Sequence, residues 1–193
     1  MKKGEESRQL LIECAAELLW KNGYSATGIS EILKQTDLPK GSFYFYFKSK
    51  DDLATAVTEY YQKILLEQFQ NSSQGNDWES FIEEIFDFLS ERTNGHTFAG
   101  CPYAVMGMET ALSKPALACV FMEGLKKIEQ IFQEVLLYSG LPPEHAKILS
   151  QRMLSIYQGY FLLGRISDDT SYLKNARKNM IEMYLEYRSY HGI

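Results

Sequence analysis

Little in this 193-residue chain is suited to covalent staples or to catalysis. Three cysteines, Cys14, Cys101 and Cys119, cannot all pair and show no CxxC spacing. Neither a disulfide framework nor a zinc site is expected, and reduced thiols point to the cytoplasm. No apolar run reaches the ~18 residues of a membrane span. Met1-Lys2-Lys3 leads into Glu5, Glu6 and Arg8, not into an apolar core, which argues against a signal peptide. GxSxG, a Walker glycine–lysine loop and HExxH are all missing, so no catalytic residue, metal or cofactor is expected. His96, His145 and His191 are far apart in sequence, and the pairs Glu83-Glu84 and Asp168-Asp169 read as solvated faces or helix starts. No stretch holds a period of two that helical spacing would not fit as well, which disfavours strands.

What is present is an ordinary globular composition, 45% hydrophobic and 23% charged, with a net charge of −5. An acidic total argues against nucleic acid only if charge is evenly spread. Residues 1–50 hold Lys2, Lys3, Arg8, Lys21, Lys34, Lys40, Lys48 and Lys50 against six acids, a net of +2, so the remainder carries −7. Such asymmetry suggests two roles in one chain.

Apolar spacing predicts an all-α fold of about nine helices. Leu10, Leu11, Cys14, Ala15, Leu18 and Leu19 form a stripe ending at Asn22-Gly23, with Cys14 read as core. Thr27 is expected to cap a short helix to Gln35. Pro39 suits the start of a third, Lys40–Phe47, and Ser49-Lys50-Asp51-Asp52 the start of a fourth reaching about Gln70. After a polar loop, Asn71–Asp77, helices are expected over Trp78–Arg92, near Tyr103–Leu112, from Pro115 to Ser139-Gly140, from Pro142-Pro143 to about Gly164, and over Ser171–Tyr190.

The pair Thr27–Gln35 and Lys40–Phe47 has the proportions of a helix-turn-helix, whose second helix enters the DNA major groove. Lys40 stands at that helix start, Gly41 permits close backbone approach, and Ser42 offers a short hydrogen-bonding group. Tyr44 and Tyr46 can bond phosphate oxygens, while Lys48 and Lys50 add positive charge. Phe43, Tyr44, Phe45, Tyr46 and Phe47 are consecutive and cannot all face one core, so at least two are expected at the surface.

Gly23-Tyr24-Ser25-Ala26-Thr27, Ile29 to Ile32, and the run Leu38 to Leu53 resemble the TetR family of bacterial transcriptional regulators. The resemblance implies a three-helix DNA-binding head over residues 1–50 and a ligand-binding, dimerising body over 51–193. It matches Lys40, Gly41 and Ser42 to base-proximal positions, and Thr27, Tyr44, Tyr46 and Lys50 to phosphate contacts. Thr36-Asp37 stands where Ala-Gly is usual, and Phe45 where the family mostly carries His or Tyr. Phe45 therefore lacks a side-chain phosphate contact but suits a thymine methyl. A homodimer with two heads would read an inverted repeat. The implied function is a repressor released from DNA by a small-molecule inducer, through a shift of the helix carrying Leu53–Phe69.

Gly100-Cys101-Pro102-Tyr103 through Ser113 is similar to a subgroup of TetR-like repressors responsive to flavonoids or antibiotic-like compounds. Tyr103, Met106 and Met108 offer a soft wall for an aromatic or amphipathic ligand, with Glu109 as a polar orienting group. Phe86, Phe98, Phe121, Tyr157 and Phe161 are further candidates for lining a cavity. Cys101 is a small apolar residue on the bland reading. The alternative trigger is covalent electrophile or redox sensing, as in some members of the family that use a cysteine after a glycine in this region. Met153, Ile156, Tyr160 and Leu163, and Leu173, Ala176, Met180 and Tyr184 (with Tyr187 beyond), recur at helical spacing on two late helices. The resemblance tips these stripes toward a four-helix dimer interface.

Overall fold

The computed structural model describes residues 3–93 and 98–193, so His96 lies outside the described residues. The elements are α1 (Lys3–Asn22), α2 (Ile29–Thr36), α3 (Lys40–Tyr46), α4 (Lys50–Tyr61), a π-helical turn (Gln62–Leu66), α5 (Glu67–Ser73), α6 (Trp78–Thr93), α7 (Pro102–Thr110), α8 (Pro115–Tyr138), α9 (Pro143–Ser167) and α10 (Ser171–His191). Helix α4, the π turn and α5 run on without a break. Among the described residues there are thus nine separate helical rods and no strand. The expected fourth helix is present but contains the π turn, whose i→i+5 bonding leaves no mark in apolar spacing.

By packing, the chain divides into two compact units: Met1–Ile64 with Pro102–Gly124, and Leu65–Cys101 with Leu125–Ile193. In the first, α1 packs against α2, α3, α4 and α7. Its apolar stripe buries Leu11, Ile12, Ala15, Ala16, Leu18 and Leu19, and each large side chain of this kind contributes ~1.5–3 kcal/mol. Tyr61 of α4 donates its hydroxyl to the Ala16 carbonyl at 2.8 Å. Leu10 is exposed and Cys14 only half-buried, its thiol 3.8 Å from the Ile32 carbonyl, so the edge of the stripe is less apolar than its spacing suggests.

The second unit is built on buried aromatics. Trp78 lies 5.4 Å from Phe132, ring centre to ring centre, and its indole N–H donates to the Met180 carbonyl at 3.1 Å. Phe69 stacks on Phe132 at 6.3 Å, and Tyr157 and Phe161 approach to 4.1 Å. Helix α10 packs on α6 and α9. His145 and His191, distant in sequence, meet with ring centres 4.7 Å apart, and His145 Nδ1 lies 2.9 Å from the Tyr187 hydroxyl.

The late-helix stripes need correction as dimer contacts. Met153, Leu173, Ala176, Met180 and Tyr184 are buried within one protomer, where helical spacing serves the unit's own core. Of the eight residues, Leu163 is exposed and Ile156 and Tyr160 are partly so.

Candidate nucleic-acid interface

The helix-turn-helix begins one residue later than its capping chemistry suggests. Gly28, in extended conformation, is the N-cap of α2. Thr27 is fully buried, and its hydroxyl lies 2.9 Å from the Gly23 carbonyl and 3.1 Å from that of Leu18. Both roles expected of this side chain, helix cap and phosphate contact, are corrected: it fastens the end of α1 to the following turn.

Helix α2 ends at Asp37, whose φ of 52° is left-handed and whose N–H bonds the Leu33 carbonyl. Glycine suits that position best and Asp is among the residues that tolerate it. This explains why Asp37 falls where the resemblance expects glycine. Pro39 then serves as the N-cap of α3, its carbonyl accepting from Ser42 N–H at 2.8 Å.

Seven residues make α3, and its aromatics divide by face. Phe43 and Phe47, four apart, point inward and are buried. Tyr44 is 53% and Phe45 80% exposed, and Lys40, Gly41 and Lys48 are exposed beside them. Lys40 Nζ lies 5.9 Å from the centre of the Tyr44 ring, a cation–π geometry across one turn. Ser42 and Tyr46 are partly covered. The outward face thus brings together two lysines, a phenol, an exposed phenyl ring and a glycine open to close approach.

Just beyond, Ser49 Oγ caps α4 by accepting from Asp52 N–H at 3.1 Å, and the Asp52 carboxylate accepts from Lys48 N–H at 2.9 Å. These two bonds tie the Lys48-Ser49 turn to the first turn of α4. Lys50 is half-buried with Nζ 4.1 Å from the centre of the Tyr24 ring. Burial pulls its pKa down, opposed by the carboxylates of Asp51 and Glu109.

A polar cluster that sequence reasoning missed supports this entry. Glu109, from the end of α7, accepts from the backbone N–H of Ser25 at 2.8 Å. A side chain at Gly23, where φ is 86°, would run into the Glu109 carboxylate. The Asp51 carboxylate accepts from Lys114 Nζ at 2.8 Å and from the Tyr24 hydroxyl. Those hydrogen bonds hold the Asp51 pKa below the usual carboxylate value, while burial and the bond to Asp51 raise that of Tyr24. Glycine at position 23 was the one visible signal, since a left-handed turn invites close approach.

The expected ligand residues divide as well. Tyr103, Met106 and Phe121 are buried in the first unit, where Gly124 makes room for the Tyr103 ring. Phe86, Phe98, Cys101, Tyr157 and Phe161 are buried in the second, with Phe86 6.4 Å from both Tyr157 and Phe161 and Phe98 5.4 Å from Phe161. Cys101 is among them at 3% exposure. Two of the expected residues need correction. Met108 is 61% exposed, and Glu109 is committed to the Ser25 turn, because α7 is short and only one of its faces is covered. Asp168 also does more than its solvated reading implied, ending α9 in left-handed conformation and accepting from Phe98 N–H at 3.0 Å.

Among the described residues no helix is long and apolar enough to cross a membrane, and no group of three or more acidic, His or Cys side chains is placed to hold a metal ion. Comparison with known proteins matches residues 11–57 to the family described as "Bacterial regulatory proteins, tetR family". Residues 78–179 match "Transcriptional regulator LmrA/YxaF-like, C-terminal domain". The transcriptional regulator YxaF of Bacillus subtilis is 30% identical over 85% of this chain and 87% of its own length. The transcriptional repressor NemR of Escherichia coli is 24% identical over 89% and 90%. A TetR transcriptional regulator from Legionella pneumophila shares the fold with a TM-score of 0.82, at 20% identity over 90% of this chain and 95% of that one. The chain belongs to the TetR family and is a DNA-binding transcriptional regulator, not an enzyme.

Proposed function

We propose that the protein is a cytoplasmic, homodimeric repressor that leaves an inverted-repeat operator when a small aromatic or amphipathic molecule occupies its body. The observation that carries the DNA half is the outward face of α3, where Lys40, Tyr44, Phe45 and Lys48 stand exposed together. Lys40, Gly41 and Ser42 lie nearest the base edges, Tyr44, Tyr46, Lys48 and Lys50 serve phosphates, and Phe45 meets a thymine methyl. The double variant Lys40→Ala/Tyr44→Ala keeps its helical content and thermal transition but fails to retard operator DNA in a gel. Retardation equal to the parent removes α3 from the interface.

Dimerisation is assigned to the exposed face of α9 and α10. Ile148, Leu162, Leu163, Ile166, Leu185 and Tyr190 are large apolar residues left uncovered there, and Gly159 has open space about it. A Leu163→Glu variant is expected to sediment as a monomer, and a dimer of parental affinity removes this face from the interface. Inducer release requires a coupling of ~1–3 kcal/mol, which changes DNA affinity by about 5- to 150-fold. Support for the repressor sign is the relative NemR, named a repressor.

A further inference from the structure

Buried polar groups are nearly always hydrogen-bonded, and an orphan calls for a physical reason. In the second unit one side chain departs from that rule with both of its polar atoms. Gln158 of α9 turns its amide away from solvent, and neither Nε2 nor Oε1 has a hydrogen-bond partner among the described residues. Helical geometry places it on one face with Leu154 and Phe161, each one turn away and both buried. Tyr157, Phe161 and Phe86 form an aromatic wall, with ring centres 4.1 to 6.4 Å apart. Ser150 shows the contrast on the same helix, since it is buried but bonds the Lys147 carbonyl at 3.0 Å.

We infer that Gln158 is the hydrogen-bonding anchor of the inducer site, and that it selects planar ligands bearing a cyclic amide or imide edge. This rests on the reading of the body as an inducer-binding domain. A primary amide presents a donor and an acceptor side by side. A cis-lactam presents the complementary pair, so its N–H bonds Oε1 while Nε2–H bonds its carbonyl. The ring carrying that edge lies against the aromatic wall. A site built this way rejects a ligand that leaves the amide unpaired far more strongly than one that only fills apolar space.

The test uses the full-length protein without DNA, with 2-quinolone as the probe and N-methyl-2-quinolone as the control lacking the donor. Calorimetric titration of the parent is expected to show 2-quinolone binding at least about tenfold more tightly. Gln158→Leu is expected to erase that gap and to melt, unliganded, no lower than the parent, because it removes the orphaned atoms. Equal binding of the two probes by the parent, or binding of neither, overturns the assignment. So does a gap that survives Gln158→Leu, or a lowered melting temperature of that variant, which would mean the amide is satisfied in solution. The parental comparison needs no variant and decides the matter if Gln158→Leu does not fold. If 2-quinolone binds through Gln158 yet saturating probe leaves operator complexes intact, the anchor stands and the release reading fails.

Discussion

Two groups of aromatic side chains in this protein obey opposite rules. In the second unit Phe69, Trp78, Phe81, Phe86, Phe132, Tyr157 and Phe161 are all buried, and their rings meet one another. Of the five consecutive aromatics from Phe43 to Phe47, two face inward and two stand well exposed, with Phe45 at 80%. Folding energetics accounts for the burial of the first group, including the rings assigned to the inducer. An exposed phenyl ring beside lysines and a phenol, touching only the edge of Tyr46, adds little to folding and suits contact with a partner. Position relative to the core, more than residue type, separates structure from recognition here.

The sharpest way to break this comparison is to remove one ring from each group. Trp78→Ala takes out a fully buried ring and leaves the Met180 carbonyl without its donor. It is expected to cost ~3–5 kcal/mol in urea unfolding, and a loss below about 1 kcal/mol contradicts its place in the core. Phe45→Ala is expected to leave unfolding within about 0.5 kcal/mol of the parent. The same change weakens operator binding by ~1–3 kcal/mol in fluorescence anisotropy, the cost of one lost base contact. Should Phe45→Ala destabilise the fold and spare DNA binding, the ring is structural and the comparison fails.

A smaller effect concerns pH. The Asp51 pKa is lowered by hydrogen bonds from Lys114 and Tyr24. Its contribution to stability is therefore present above the unfolded carboxylate pKa and fades as pH falls through the lower folded value. Parent and Asp51→Asn should differ most in thermal stability at neutral pH and converge in acid. A constant difference across that range means that the carboxylate charge at Asp51 is not what stabilises the cluster.

Much of this was legible from the sequence, for identifiable reasons. Helix positions follow from a 3.6-residue apolar period that proline and glycine punctuate cleanly, as at Pro39, Pro115 and Gly140. Exposed aromatics on α3 followed from crowding alone. Thr27 misled because a hydroxyl that caps helices also satisfies buried carbonyls, and residue type cannot say which. The stripe Leu173, Ala176, Met180 and Tyr184 reported burial faithfully but not which surface does the burying. Met108 and Glu109 failed because a helix as short as α7 leaves its inward face undetermined by periodicity. Gln158 could not be found at all, since an orphaned amide is visible only when its surroundings are.

The contact between Glu109 and the Ser25 turn bears on how such proteins can be recombined. A designer exchanging DNA-reading heads between relatives would naturally cut near residue 50. That cut leaves Glu109 on the recipient body, facing a foreign turn, and parts Tyr24 from Asp51. A chimaera that carries Met1–Ile64 together with Pro102–Gly124 keeps both partners of each bond, and it should melt higher than the simple graft. Equal melting of the two grafts would show that the head is portable without its anchor. A higher melt of the longer graft makes the transferable module discontinuous in sequence, with a second segment contributed from the middle of the chain.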